Sequence, residues 1–244
     1  MNIFETLIYA FFAGLLPALI WLWFWLHEDS KHPEPRSILA FTFITGMAMI
    51  FFAFPLESFF SECGLSMFCF PLSQPWKFLA WASIEEILKF AAVLVAAMHT
   101  RSYDEPMDAV VYMMCAALGF AALENTLFII NSSISVTSTA GTGAITTIFL
   151  ANLRFIGANL LHVVASSTIG IAMALSFYKS RKEKIVWAAG GIILAILLHT
   201  LFNLFIIDSS GNGILFIFLI VWLIMISFIL IFEKIKTMSM PMTQ

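Results

Sequence analysis

Acidic, basic and amide side chains recur inside otherwise apolar stretches of this chain. In chain order they are Glu85, Glu86 and Lys89, then Glu124 and Asn125, then Arg154 and His162, and last His199 and Asn203. Carboxylates and imidazoles act as general acids and bases, whereas amides and cations stabilise a developing oxyanion. Ionisable groups inside a bilayer are costly unless they are paired or hydrated, so each of them is a candidate for function.

Helical spacing indicates which of these side chains share a face. Glu85 and Lys89 are four residues apart and can form an ion pair. Glu86 is rotated by about 100° from Glu85 around a helix, so we expect the two carboxylates to do different jobs. His199 and Asn203 are also four residues apart and should project together.

Depth in the membrane places most candidates at a common level. Counted from the outer ends of the predicted helices, Glu85, Glu124 and His199 lie about nine, seven and eight residues in, which agrees within one or two turns. His162 lies deeper, about fourteen residues in, unless its helix is tilted. A single buried Glu–Lys pair or a lone His or Asn more often holds helices together than it catalyses a reaction. Scattered packing residues, however, have no reason to share a level.

The helices that must position these groups are predicted from composition. Of the 244 residues, 61% are hydrophobic and 11% charged, whereas a soluble domain has about 25% charged residues. A helix needs roughly 20 apolar residues to cross a bilayer. Seven stretches satisfy this: 3–26, 37–56, 76–98, 108–131, 147–178, 185–207 and 214–232. Since only helices and closed barrels satisfy their backbone in lipid, we expect an all-α, multi-pass cell-membrane protein with one domain over residues 1–244.

Basic residues in the connecting segments predict the orientation. Nine of the twelve lie on one side: Lys31, Arg36, Arg101, Lys179, Arg181, Lys182, Lys184, Lys234 and Lys236. The opposite side has only Lys77. Because cytoplasmic loops are enriched in Lys and Arg, this asymmetry predicts an outside N-terminus and a cytoplasmic C-terminus. The net charge of −3 gives no indication of nucleic-acid binding, and the expected environment is the lipid bilayer.

Two features of the predicted outer loops are open to more than one interpretation. Cys63 and Cys69 fall in the loop 57–75 and are either a disulfide or two free thiols. The loop 132–146 is small, polar and uncharged, which is typical of a solvated connector and also of a gate near a substrate.

The motifs occur in an order that resembles a known family. SIEEILKF contains EExxK, FAALENTLF contains FxxxEN, RFIGANLLH supplies a downstream Arg and His, and HTLFN contains HxxxN. Together they resemble the PrsW family of membrane proteases, distant relatives of the CAAX prenyl endopeptidases, whose related motifs are EExxxR, FxxxH and HxxxN. The resemblance covers a core of about 76–207. Glu124 stands where the CAAX enzymes have a histidine, so their mechanism does not transfer unaltered.

The resemblance implies a glutamic-type intramembrane endopeptidase that needs no metal. Its expected substrate is a single-pass membrane protein, such as an anti-sigma factor, cleaved near its extracytoplasmic side. Glu85 or Glu86 would activate water, and His199 with Asn203 would stabilise the oxyanion. The implied catalytic residues are Glu85, Glu86, Glu124, His162 and His199, and the supporting residues are Lys89, Asn125, Arg154 and Asn203.

Two alternatives use the same side chains differently. In a metalloprotease, Glu124, His162 and His199 could bind zinc while Glu85 or Glu86 acts as the base, since Glu and His are ordinary zinc ligands. The chain has no HExxH motif. A proton-coupled transporter or channel would use the Glu, His and Lys side chains as a relay. Inverted repeats would favour that class, and the sequence has no visible internal repeat.

Overall fold

The computed structural model describes residues 3–28, 33–62, 72–136, 143–208 and 212–238. Within these ranges the regular structure is entirely helical, which confirms the predicted fold class. The helices are α1 (Ile3–Glu28), α2 (Arg36–Ala48), α3 (Ile50–Glu62), α4 (Gln74–Ala96), α5 (Pro106–Val136), α6 (Gly143–Leu175), α7 (Arg181–Asp208) and α8 (Asn212–Ile235).

Among the described residues, five segments are long and apolar enough to cross a membrane: Leu7–His27, Arg36–Glu62, Pro106–Asn131, Gly157–Leu175 and Arg181–Phe205. Many large apolar side chains on their surfaces point away from the protein, including Trp23, Phe51 and Val186, which are 68%, 70% and 69% exposed. Only lipid can solvate such a surface. The chain is therefore a multi-pass membrane protein, while the count of seven spans and the orientation of the termini stay predictions.

The second predicted span differs from the structure at its outer end. Helices α2 and α3 form one segment that is interrupted at Met49, and α3 ends at Glu62 rather than at residue 56. Glu57 therefore lies within a helix, not in the outer loop expected for 57–75. The prediction failed because the run FFAFPLESFF contains a proline and a glutamate, which both weaken an apolar signal.

The predicted outer loop 132–146 is also shorter than expected. Helix α5 continues to Val136 and α6 begins at Gly143, because small polar residues are tolerated in a helix that has apolar neighbours. Residues 137–142 and the pair Cys63 and Cys69 lie outside the described residues. Cys115 is a buried free thiol.

Helix α5 is the centre of the bundle. It contacts α1, α2, α4 and α6, and the stretch from Met107 to Ala122 is buried around its whole circumference, as expected for a helix that is apolar on every face. Its backbone nearly touches that of α2, because a Cβ atom added to Gly119 would lie 2.1 Å from the carbonyl oxygen of Phe43. Helices α4, α6 and α7 pack against one another beside α5, and these four helices together carry the polar residues.

Candidate active site

Helix α4 contributes two carboxylates and the cation that lies between them. Lys89 Nζ donates to Glu85 Oε2 at 3.0 Å and to Glu86 Oε1 at 2.8 Å. The expected Glu85–Lys89 pair is present. The two carboxylates lie closer together than their rotation of about 100° around the helix suggested. The long side chain of Lys89 reaches both of them, at i−4 and i−3.

Helix α6 brings His162 into the same group. His162 Nδ1 lies 2.8 Å from Lys89 Nζ, and its Nε2 lies 2.7 Å from Glu124 Oε2 on α5. The carboxylate can only accept a hydrogen bond, so Nε2 carries the proton and Nδ1 accepts from the ammonium. The greater depth predicted for His162 does not separate it from the other residues.

Helix α7 completes the cluster through His199. Its Nδ1 donates to Glu86 Oε1 at 2.9 Å, and its Nε2 lies 3.8 Å from Glu85 Oε2. Ser166, one turn after His162 on α6, donates its hydroxyl to Glu86 Oε2 at 2.7 Å. Glu86 thus accepts hydrogen bonds from side chains of three helices, which fixes its position and leaves it few free lone pairs.

The cluster is almost completely enclosed by protein. Glu86 and Lys89 have no exposed surface, and Glu85, His162 and His199 retain 6%, 2% and 2%. Burial of this kind is tolerated only when the charges are paired and hydrogen bonded. The Glu124 side chain is 29% exposed and marks the open edge of the site.

The supporting residues are less uniformly placed. Asn125 Nδ2 donates to Asn159 Oδ1 at 3.4 Å, so the amide next to Glu124 ties α5 to α6. Asn203 is half-buried one turn after His199, and among the described residues it makes no hydrogen bond to the cluster. The Arg154 side chain lies outside the described residues.

Three neighbours of the site were missed from the sequence. Ser166 could have been found from its position four residues after His162, and Phe120 from the first position of FxxxEN. The Phe120 ring lies 4.6 Å from Lys89 Nζ, a cation–π contact. Glu57 on α3 is close enough to Glu85 and Glu124 to interact with them electrostatically. The sequence feature that could have identified Glu57 is a carboxylate within an apolar run. It was overlooked because the predicted span ended at residue 56.

The donor atoms of this cluster also fit a metal ion. Glu85, Glu86, His162 and His199 each offer one ligand atom, and these atoms lie within 4.8 Å of one another. Two imidazoles and two carboxylates are ordinary zinc ligands. The set differs from the expected one, because Glu124 is a hydrogen-bond partner of His162 rather than a member of the group. A carboxylate that orients a histidine ligand is usual at metal sites.

Buried carboxylates and imidazoles gathered inside a membrane bundle define a candidate intramembrane hydrolase. Residues 34–231 match the model of the family described as PrsW family intramembrane metalloprotease. The chain belongs to this family, and it is an intramembrane protease of the cell membrane.

Individual relatives agree with the family assignment. The chain is 25% identical over 206 residues to Protease PrsW of Bacillus subtilis, covering 83% of this chain and 84% of the relative. It is 28% identical over 122 residues to Protease PrsW of Geobacillus kaustophilus, about half of each chain (50% and 52%). It is 21% identical over 227 residues to Protease PrsW of Halalkalibacterium halodurans, covering 92% and 94%. No solved structure matches the chain.

Proposed function

We propose that this protease hydrolyses a peptide bond in a single-pass membrane protein, such as an anti-sigma factor, near the extracytoplasmic side of the bilayer. The observation that carries the proposal is the convergence of Glu85, Glu86 and Lys89 with His162 and His199 in one buried cluster on three helices. A proton relay could use the same groups, but family membership favours a protease over a transporter.

We assign the general base to Glu85. Its Oε2 accepts from Lys89, and among the described residues no hydrogen bond involves its Oε1. That oxygen is available to take a proton from an attacking water. Glu86 is the less suitable base because Lys89, His199 and Ser166 already occupy its oxygens.

Glu86 and Lys89 then hold the base in place. Their ion pair is fully buried, and through His199 and Ser166 it connects α4 to α7 and α6. A carboxylate that is already fixed in place loses less free energy to reorganisation when it takes a proton from the attacking water. In this assignment the two glutamates have different roles, although both contact Lys89.

The remaining groups serve the tetrahedral intermediate and the leaving amine. His162, which Glu124 orients at the open edge of the site, can give its Nε2 proton to the leaving amine while its Nδ1 takes one from Lys89. The proton that Glu85 takes from the water then restores Lys89. His199 and the half-buried amide of Asn203 lie on one face of α7 and are assigned to the oxyanion. Such donors contribute most where water is excluded.

Glu85, Glu86, His162 and His199 are the residues that would hold the metal ion implied by the family description. A bound zinc ion polarises the scissile carbonyl and makes water more acidic. The sequence favoured a metal-free, glutamic-type centre. The Lys89 ammonium, which already neutralises the two carboxylates, supports that version, whereas the donor set and the family description support the metal-dependent one.

Reconstitution tests the proposed function directly. The purified protein in liposomes is mixed with tagged single-pass reporters that carry different extracytoplasmic stems, and cleavage is followed by gel and mass spectrometry. We expect a cut near the extracytoplasmic end of one or more reporters, absent in Glu85→Gln. Proton flux without cleavage, measured in the same liposomes with a pH dye, would support the transporter instead.

A further inference from the structure

Resting on the proposed function, we propose that a groove between α3 and α4 binds the transmembrane segment of the protein substrate, which reaches Glu85 through the seam between these helices. The groove has a volume of about 470 Å³. Its walls are formed by Leu56 and Phe60 on α3 and by Trp76, Ala80, Ile84 and Leu88 on α4.

The chemistry of the groove fits an apolar helix. Apart from the indole N–H of Trp76, the polar side chain in its lining is that of Ser83, whose hydroxyl donates to the Leu79 carbonyl oxygen of its own helix at 2.6 Å. Between Trp76 and Leu88 the groove follows α4 for about 18 Å, at ~1.5 Å per residue. This is roughly half the thickness of a bilayer core of about 30 Å. A hydrophobic segment can lie there without leaving a polar group unsatisfied.

The floor of the groove leads to the catalytic cluster. Ile84 and Leu88 pack against Phe120, together with Ile50 and Ala53 of the second span. Phe120 also contacts the active site, since its ring lies 4.6 Å from Lys89 Nζ and its centroid 6.0 Å from that of the His162 ring. One layer of side chains and one aromatic ring thus separate the groove from the reacting groups.

A tryptophan joins the two sides of the seam above Glu85. Trp81 Nε1 lies 3.1 Å from Ser61 Oγ and 3.3 Å from the Glu57 carbonyl oxygen, so α4 donates to the last turns of α3. Trp81 is one turn before Glu85 on α4. Helix α3 starts after the break at Met49 and contains Pro55, which lacks a backbone N–H. In this proposal α3, which forms the outer part of the second span, is the side of the seam that moves away from α4.

The position of the groove selects a polypeptide as its occupant. A lipid chain would fill the same apolar space, but the groove ends at the level of Ile84 and Leu88, the turns that flank Glu85. A substrate helix lying there places its peptide bonds next to the seam at the level of the base. Extended backbone is needed for hydrolysis, and the outward movement of α3 would give the unwound end of that helix a path to Glu85.

Photocrosslinking tests the occupant. A benzoylphenylalanine is introduced at Ala80 in the groove or, as the control, at Val95, which is 64% exposed on the same helix outside the groove. The probe is a fluorescent single-pass peptide with about 20 leucines and alanines and a polar stem, in proteoliposomes. We expect peptide adducts at Ala80 about tenfold above those at Val95, a preference of about 1.4 kcal/mol. Equal yields, or adducts with lipid alone at Ala80, would overturn the proposal.

This experiment distinguishes a failure of the groove proposal from a failure of the proposed function. Adducts at Ala80 without cleavage of any single-pass reporter would leave the groove standing and reject the function. Cleavage of a reporter that never forms adducts at Ala80 would reject the groove and leave the function standing.

A reversible lock tests the seam. In a chain whose native cysteines are replaced by serine, Ser61→Cys and Trp81→Cys are bridged by a reducible bifunctional methanethiosulfonate. We expect bridging to stop cleavage of a membrane-anchored reporter and reduction to restore it, which excludes misfolding as the cause. Each single cysteine variant treated with the reagent is the control. Unchanged cleavage by the bridged protein would show that the substrate enters elsewhere.

Discussion

The Lys89 ammonium and the His162 imidazole meet across 73 residues of sequence, with Nζ 2.8 Å from Nδ1. The contact joins α4 to α6 and fixes the protonation of the ring, because Nδ1 accepts while Nε2 donates to Glu124. One lysine therefore holds two glutamates and one histidine in a single arrangement.

The first prediction concerns this lysine. Lys89→Met leaves two buried carboxylates without their cation, which typically costs about 3–5 kcal/mol. We expect a clear loss of thermal stability and a loss of proteolysis of at least about tenfold. Lys89→Arg keeps the charge and should retain more of both. Thermal unfolding in detergent and reporter cleavage measure the two effects; equal behaviour of Met and Arg would mean that the charge is unimportant.

The second prediction separates the two glutamates. Glu85→Gln removes the base but keeps a polar group of the same shape, so we expect kcat to fall by about 100-fold or more with little change in Tm. Glu86→Gln disturbs hydrogen bonds to three helices, so it should lower both kcat and Tm. Full activity in both variants would contradict the glutamate mechanism. A loss of kcat alone in Glu86→Gln, with a loss of both kcat and Tm in Glu85→Gln, would exchange their roles.

The sequence indicated part of the site. Side-chain type, helical spacing and depth paired Glu85 with Lys89 and put Glu85, Glu124 and His199 at one level, since those properties depend on one helix and the bilayer. Contacts between helices depend on their packing, which a single sequence does not specify.

Three features of the site were therefore missed or misjudged. Ser166 reaches Glu86 across helices. Glu57 joined the site only because α3 continues past the predicted end of its span. The metal-ligand set was also assigned differently, because Glu124 turned out to face His162 from the far side of the ring.

The third prediction concerns Glu124 as a positioning residue. Its carboxylate accepts from His162 Nε2 at 2.7 Å. Glu124→Ala removes the acceptor and should lower kcat by about tenfold, with little change in KM. Glu124→Gln offers an amide oxygen to the same N–H and should recover part of the loss. If Ala and Gln were equally active, the hydrogen bond would not orient the ring.

The fourth prediction concerns the metal. In the metal-dependent version, the purified protein should contain about one zinc ion per chain, and His162→Ala and His199→Ala should contain much less. Exhaustive chelation should abolish cleavage, and added zinc should restore it. Metal analysis by mass spectrometry gives a readout that does not depend on activity. A protein free of metal that still cleaves its reporter would establish the glutamic-type alternative.

The fifth prediction concerns the close contact between α2 and α5 that supports the second span. A Cβ atom at Gly119 would lie 2.1 Å from the Phe43 carbonyl oxygen, and backbone cannot move aside as a flexible side chain can. We expect Gly119→Ala to force the two helices apart and to lower stability by about 1–3 kcal/mol.

Gly190 on α7 is the matched control, because nothing lies within 4 Å of its added Cβ. Gly190→Ala should leave stability unchanged or raise it by about 0.5–1 kcal/mol through helix propensity. Thermal unfolding of both variants in the same detergent measures the difference. Equal Tm values would show that α2 and α5 are not in backbone contact. Because α3 continues directly from α2, the Gly119 variant should also cleave membrane reporters more slowly than the Gly190 variant.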